Sequence, residues 1–313
     1  MEKAFIQYLQ RKNLSVASQQ IYVRDVELFA QWYRKDLLNC TNKDVLKYLE
    51  HLQNDKQQGN KSRSLALLGI SHYFDYLHQC LLIAAPPTAL IKLRGTRKKT
   101  LHHIYTAEEL QAIYDNYYSA FIQGFDDSHI TGNMRHRSFL GKQRNYVMLG
   151  FLVYQGIVAY DLSNIKLADT DINKAIIHIA GSRRSNARNI PLNASQIGSL
   201  MHYINNIRPQ FLQCLSTDSD KLFLPLPKYK DCKNRSIKMG GTIYRLTQQV
   251  KTLESSFINF KQIRASVITH WLKTQGLRKA QYLAGHRYIS STEAYQSNNL
   301  EGLIDDITKY NPF

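Results

Sequence analysis

Apolar residues return every three to four positions through the first eighty residues. Phe5, Ile6, Tyr8 and Leu9 open the series, and Ile21, Val23, Val26, Phe29, Ala30 and Tyr33 continue it. Val45, Leu46, Tyr48, Leu49 and Leu52 follow, then Leu65, Leu67, Leu68, Ile70, Tyr73, Phe74 and Leu77. This spacing aligns one face of an α-helix, and it predicts four short helices packed as a bundle of about 80 residues. Ser15 opens the second helix, and Thr41-Asn42-Lys43-Asp44 reads as the capped start of the third. Pro86-Pro87 then stops helix formation.

A second pattern begins at Thr106-Ala107-Glu108-Glu109, a capping box ahead of a helical stretch reaching about Tyr118. Residues 124–136 are polar and read as a loop, and residues 144–156 as a strongly apolar helix. Residues 176–181 and 188–192 flank a polar tip, which predicts a β-hairpin. Residues 222–226 read as one further strand, and the remainder alternates helices with turns. The expected organisation is a helical domain over residues 1–90, a basic linker over 91–104 and a mainly helical domain with a small antiparallel sheet over 105–313.

Composition sharpens this picture through charge. The 313 residues carry a formal net charge of +17, with a pI near 9.6. Residues 1–99 hold 16 Lys and Arg against 8 Asp and Glu, and the remainder holds 25 against 16. Both halves are therefore basic, which suits two domains gripping a polyanionic duplex. Arg97, Lys98 and Lys99 in the linker are candidates for phosphate contact. No apolar run approaches the ~18 residues of a membrane span, and the N-terminus lacks a signal-peptide pattern, so the expectation is a cytoplasmic protein without membrane contact. Cys40, Cys80, Cys214 and Cys232 form no CxxC pair and no zinc motif, and read as buried free thiols. No P-loop or nucleophile elbow is present, and no metal or other cofactor is expected.

The chemistry concentrates in residues 259–295. Lys261 and Arg264 share one helix face at i, i+3. Leu283-Ala284-Gly285-His286 follows, and Tyr295 stands nine residues after His286. A phosphate-directed site uses these types: Arg clamps two oxygens, His donates a hydrogen bond or shuttles a proton, and a Tyr phenol attacks phosphorus to form a covalent intermediate.

At these residues the chain resembles the tyrosine recombinases of the phage integrase family. Their signature is a His-x-x-Arg helix, then Leu-x-Gly-His, then a nucleophilic Tyr nine residues on. Arg264, the segment Leu283 to His286, and Tyr295 match it, and Thr292-Glu293-Ala294-Tyr295 is similar to the family's Thr-x-x-Tyr. Upstream, Gly156-Ile157 and Asp161-Leu162 resemble the family's Gly-Leu-Arg-x-x-Glu-Leu, and the stretch ending Ile190-Pro191-Leu192 resembles the hairpin that carries its catalytic Lys. The N-terminal bundle is similar to the family's SAM-like core-binding domain. The order of these matches covers nearly the whole chain, which matters because 20 tyrosines are present and residue type alone singles out none.

Three positions depart from the pattern. Val158 stands where the family has its first Arg, Arg183 (with Arg184 beside it) where it has the hairpin Lys, and Lys261 where it has the first His. The resemblance implies attack by Tyr295 on double-stranded DNA, a 3′-phosphotyrosyl link, and a tetramer on paired sites with a C-terminal segment packed on a neighbour; Leu300, Leu303, Ile304, Ile307 and Tyr310 have that helical spacing. It assigns catalytic roles to Tyr295, Arg264, His286, Lys261 and Arg183, and DNA contact to Arg184. The departures leave two readings open: a site-specific recombinase of a mobile element, and a catalytically impaired DNA-binding subunit that assembles, as a homo- or hetero-oligomer, with an active relative. A type IB topoisomerase-like relaxer shares the Tyr chemistry, but the bundle and the short length argue against it.

Overall fold

The computed structural model describes residues 2–95, 103–126, 132–182, 185–215, 218–226 and 239–296. The chain divides into two compact units, Met1–Thr100 and Leu101–Phe313.

The first unit is all helix among the described residues: α1 (Glu2–Arg11), α2 (Val16–Tyr33), α3 (Asn42–Asn54) and α4 (Asn60–Gln79). Ser15 caps α2 by accepting from the Ser18 N–H, and Thr41 with Asp44 forms a reciprocal capping box on α3. The core is built on Phe29, fully buried, with Tyr48 and Phe74 edge-on to its ring at 5.0 and 6.1 Å. Burying a side chain of this size contributes about 1.5–3 kcal/mol. The apolar stripes are narrower than the sequence suggests. Ile21, Leu46, Leu65 and Leu68 are exposed. On α4 the buried face follows Leu67, Ile70, Phe74 and Leu77, and Leu65 and Leu68 fall about 200° and 100° away from Leu67 around the helix.

The second unit is mainly helical, with one small sheet. Thr106 and Glu109 form the expected capping box at the start of α5 (Ala107–Tyr118). Helix α6 (Asn133–Gln155) begins eleven residues before the apolar stretch that announces it, because its first three turns are polar. From Arg144 onward it is buried on every side, as a helix at the centre of a domain must be. Then come α7 (Ala159–Leu162), the strands β1 (Thr170–Asp171), β2 (Ile176–Ile179) and β3 (Arg188–Pro191), and α8 (Ala194–His202) and α9 (Arg208–Leu215). Next are α10 (Gly240–Leu253), α11 (Phe260–Ala284), which breaks at Gly276, and α12 (Ser290–Glu293). The sheet is antiparallel in the order β1-β2-β3, and Ile177 pairs with Ile190 across the predicted hairpin.

Residues 222–226 are not a strand. Leu222, Phe223 and Leu224 are buried, but their carbonyls serve side chains: Leu224 accepts from Arg144 at 2.8 Å and Leu222 from the Tyr203 hydroxyl at 3.1 Å. Among the described residues a single bridge, Lys166 to Lys221, is all the ladder that forms there. Among the cysteines, Cys40 and Cys214 are half-buried and Cys80 is exposed, so burial does not hold for these three; Cys232 lies outside the described residues. Among the described residues no helix is long and apolar enough to cross a membrane.

Candidate active site

Two elements of the second unit, α11 and α12, deliver the signature side chains. Arg264 lies in the second turn of α11, a start fixed by Asn259, whose side chain accepts from the Lys261 N–H at 2.9 Å. His286 follows the C-terminus of α11, where Gly285 takes the left-handed conformation (φ 71°) that ends many helices. Tyr295 follows the short helix α12, and its N–H donates to the Thr292 carbonyl at 3.0 Å.

These side chains meet. An Arg264 Nη2–H points at His286 Nε2 at 3.2 Å, and the His286 and Tyr295 rings stack at 5.8 Å with planes 13° apart. Arg264 also donates from Nη2 to the Ala284 carbonyl at 2.8 Å and from Nη1 to the Gly156 carbonyl. Gly156 itself sits in a left-handed turn, and a Cβ there would stand 3.1 Å from Val267 Cγ1. The glycine of the degraded upstream motif therefore still anchors the arginine.

Helix ends leave carbonyls without intrahelical partners. Here three successive ones each take a donor that builds the site: Leu283 from Arg188 Nε at 2.9 Å, Ala284 from Arg264, and Gly285 from the Asn186 N–H at 2.9 Å. The hairpin thus docks on the His286 turn. Ser185 bridges to His286, and Arg287 Nη2 donates to the Ser182 carbonyl at 2.9 Å.

Burial and charge shape the electrostatics. Burial, the Arg264 guanidinium and the Arg188 guanidinium push His286 down from 6.5 to about 4, so the ring is neutral at pH 7. Burial also lowers Arg264, with Arg188 adding repulsion, while Tyr295 and Asp161 favour its charged form. The guanidinium keeps its charge, and in this partly dry setting a phosphate oxygen is a strong partner for it.

The other predicted residues fall differently. Lys261 is exposed one turn before Arg264 and, among the described residues, shares no hydrogen bond with the three that converge. Arg183 and Arg184, the linker residues Arg97, Lys98 and Lys99, and the C-terminal residues 297–313 lie outside the described residues. Val158, half-buried, is the N-cap of α7 and offers no side-chain cap.

Arg188 was not singled out by the sequence. It is buried, and its Nη2 lies 3.1 Å from Asp161 Oδ2. The signal was present in strand alternation: Ile190 faces inward, so Arg188 two residues earlier does too. A buried charge requires a partner, and the acidic end of the upstream motif, Asp161, supplies it.

Residues 2–82 match the phage integrase N-terminal SAM-like domain, and residues 128–301 match the phage integrase family. The chain is 26% identical over 300 residues to the tyrosine recombinase XerC of Anoxybacillus flavithermus, covering 93% of this chain and 90% of that protein. It is 26% identical over 314 residues to the XerC of Oceanobacillus iheyensis, covering 98% and 94%. The fold is similar to that of the XerH site-specific recombinase bound to difH substrate in a pre-cleavage complex, with a TM-score of 0.65 at 15% identity over 97% of this chain and 84% of that one. It is also similar to a lambda integrase dimer bound to a COC' core site, with a TM-score of 0.63 at 15% identity over 94% and 75%.

Proposed function

From the premise that this chain belongs to the phage integrase family of tyrosine recombinases, we propose that it is a site-specific recombinase of a mobile genetic element, cutting and rejoining double-stranded DNA through Tyr295. The phenolic oxygen of Tyr295 attacks the scissile phosphorus and displaces the 5′-oxygen of the next nucleotide. The phenolic proton leaves to a base and the 5′-oxygen takes a proton, giving a 3′-phosphotyrosyl link and a free 5′-hydroxyl. The link conserves the energy of the broken ester, so rejoining is the reverse attack and consumes no nucleotide triphosphate.

The observation that carries this reading is the meeting of Arg264, His286 and Tyr295, residues drawn from 32 positions of sequence. Arg264 would clamp the non-bridging oxygens. His286, neutral and in ring contact with Tyr295, would hydrogen-bond the reacting centre or take the phenolic proton. Arg183 and Lys261 would add positive charge, and Arg184, Arg97, Lys98 and Lys99 would bind neighbouring phosphates. The XerH and lambda integrase structures are DNA complexes, the latter a dimer; by analogy the working form here is an oligomer, a tetramer on paired sites.

Val158 favours a second reading. An aliphatic side chain at the N-cap of α7 cannot neutralise a phosphate oxygen, which suits a DNA-binding subunit completed by an active relative. The two separate in one assay. The duplex site is first enriched from a random library, then presented as a nicked suicide substrate whose released fragment cannot religate. A covalent protein–DNA species on a denaturing gel supports the enzyme, and tight binding without that species supports the subunit.

A further inference from the structure

Thr292 is fully buried, and its hydroxyl lies 2.9 Å from His286 Nδ1. The other ring nitrogen, Nε2, faces Arg264 Nη2 at 3.2 Å. A guanidinium only donates, so Nε2 presents a lone pair. A neutral imidazole then carries its proton on Nδ1, and that proton is donated to Thr292 Oγ1. The backbone carbonyl of the same threonine accepts from the Tyr295 N–H at 3.0 Å.

We propose that Thr292 is a positioning residue that, opposite the Arg264 donor at Nε2, holds His286 in its Nδ1–H tautomer and ties that ring to the turn carrying Tyr295. The proposal rests on the recombinase reading for its catalytic consequence, but not for its geometry. Thr292 fixes the ring plane against Tyr295 and aims the Nε2 lone pair at the space Arg264 occupies. When Arg264 turns to a phosphate oxygen, that lone pair is exposed to the reacting centre as a proton acceptor. A threonine suits the task because its hydroxyl offers a lone pair to Nδ1–H. Valine has the same shape and no acceptor. It would leave Nδ1–H buried without an acceptor, a loss that the ring relieves by moving its proton or turning.

The test reads the tautomer directly, in the full chain without DNA. Histidine-selective ¹⁵N spectra of the protein, with His286→Asn to assign the resonance, report which nitrogen is protonated. The wild type and Thr292→Ser should show the Nδ1–H form of His286, and Thr292→Val a mixture of both tautomers. An unchanged Nδ1–H form in Thr292→Val would overturn the proposal. Should that variant fail to fold, a mixed tautomer in Thr292→Ser overturns it equally, because the hydroxyl would then not be the determinant. On a suicide substrate Thr292→Val should form adduct about 10²-fold more slowly at unchanged DNA affinity, near the lower end of what a positioned proton-transfer group contributes, and Thr292→Ser should recover it. The expected spectra with no adduct from any variant would count against the recombinase reading and leave the positioning role standing.

Discussion

Arg188 and Asp161, 27 residues apart, form a buried ion pair: Nη2 to Oδ2 is 3.1 Å, and the side chains are 1% and 6% exposed. The pair joins β3 to α7, and through the Leu283 carbonyl it joins both to the end of α11. It stands behind the place where Arg264 and His286 meet, which gives it electrostatic influence on both. Drying two charges offsets much of their attraction, and removing one partner leaves the other buried and uncompensated, so removing one is costlier than removing both. Arg188→Met should destabilise the protein by about 3–5 kcal/mol, because it strands the Asp161 carboxylate. The double variant Arg188→Met, Asp161→Leu should recover most of that loss. Thermal melts of the two variants check this, and equal losses would show that the pair is not coupled.

Gly285 is held to glycine twice over. Its φ of 71° costs other residues about 1–2 kcal/mol, and a Cβ there would collide with the Arg188 guanidinium. Gly285→Ala should therefore lower stability by more than the backbone cost alone and displace Arg188 from Asp161. In an Arg188→Met background the same substitution should cost less. The difference between the two melting shifts measures the clash.

The depressed pKa of His286 sets a pH dependence. Its folded value of about 4 lies below the ordinary 6.5, so as pH falls the unfolded chain binds the proton first. The contribution to stability is complete above about pH 6.5 and is lost progressively between there and pH 4. His72 in the first unit, lowered mainly by burial, adds a loss of the same sign. The melting temperature of the wild type should drop between pH 7 and pH 4.5, and His286→Gln should reduce the drop. An identical drop in the variant would show that His286 titrates normally.

Val158→Arg tests the departure that most weakens the site. The position caps α7 beside Gly156, whose carbonyl already anchors Arg264. A second guanidinium there should raise adduct formation by as much as about 10²-fold if the backbone is undistorted. A folded Val158→Arg protein that binds its site and forms no adduct would favour the DNA-binding subunit.

The linker makes a separate prediction. Duplex affinity should fall steeply with salt, because phosphate-bound Lys and Arg displace counterions. Replacing Arg97, Lys98 and Lys99 together with Gln should flatten the slope of log Kd against log salt by up to about three counterions. An unchanged slope would remove the linker from the interface.

Much of this was legible in the sequence because it depends on local chemistry. Thr41 and Thr106 announce their helices through their own capping boxes, and Gly285 announces a helix end through its freedom at positive φ. The spacing from Arg264 to His286 to Tyr295 was legible as a motif, but its closure depends on the break of α11 at Gly276, since an unbroken helix would hold Arg264 and Ala284 about 30 Å apart. What the sequence concealed depends on partners far along the chain. The polar first turns of α6 carry no apolar stripe. Residues 222–226 look like a strand, yet their carbonyls are claimed by Arg144 and Tyr203. Arg188 and Thr292 have roles only once β3, α7, α11 and α12 are brought together. Lys261 shares a helix face with Arg264, but that spacing carries no information about which of the two reaches inward.

The central claim is that Tyr295 is the nucleophile. The decisive measurement is mass spectrometry of the protein trapped on its suicide substrate, after nuclease trimming and proteolysis. The account predicts a nucleotide-sized mass on the peptide containing Tyr295, attached through the 3′-phosphate, and no adduct from Tyr295→Phe at unchanged DNA affinity. A modified peptide containing any other of the 20 tyrosines, or an adduct that persists in Tyr295→Phe, would contradict it.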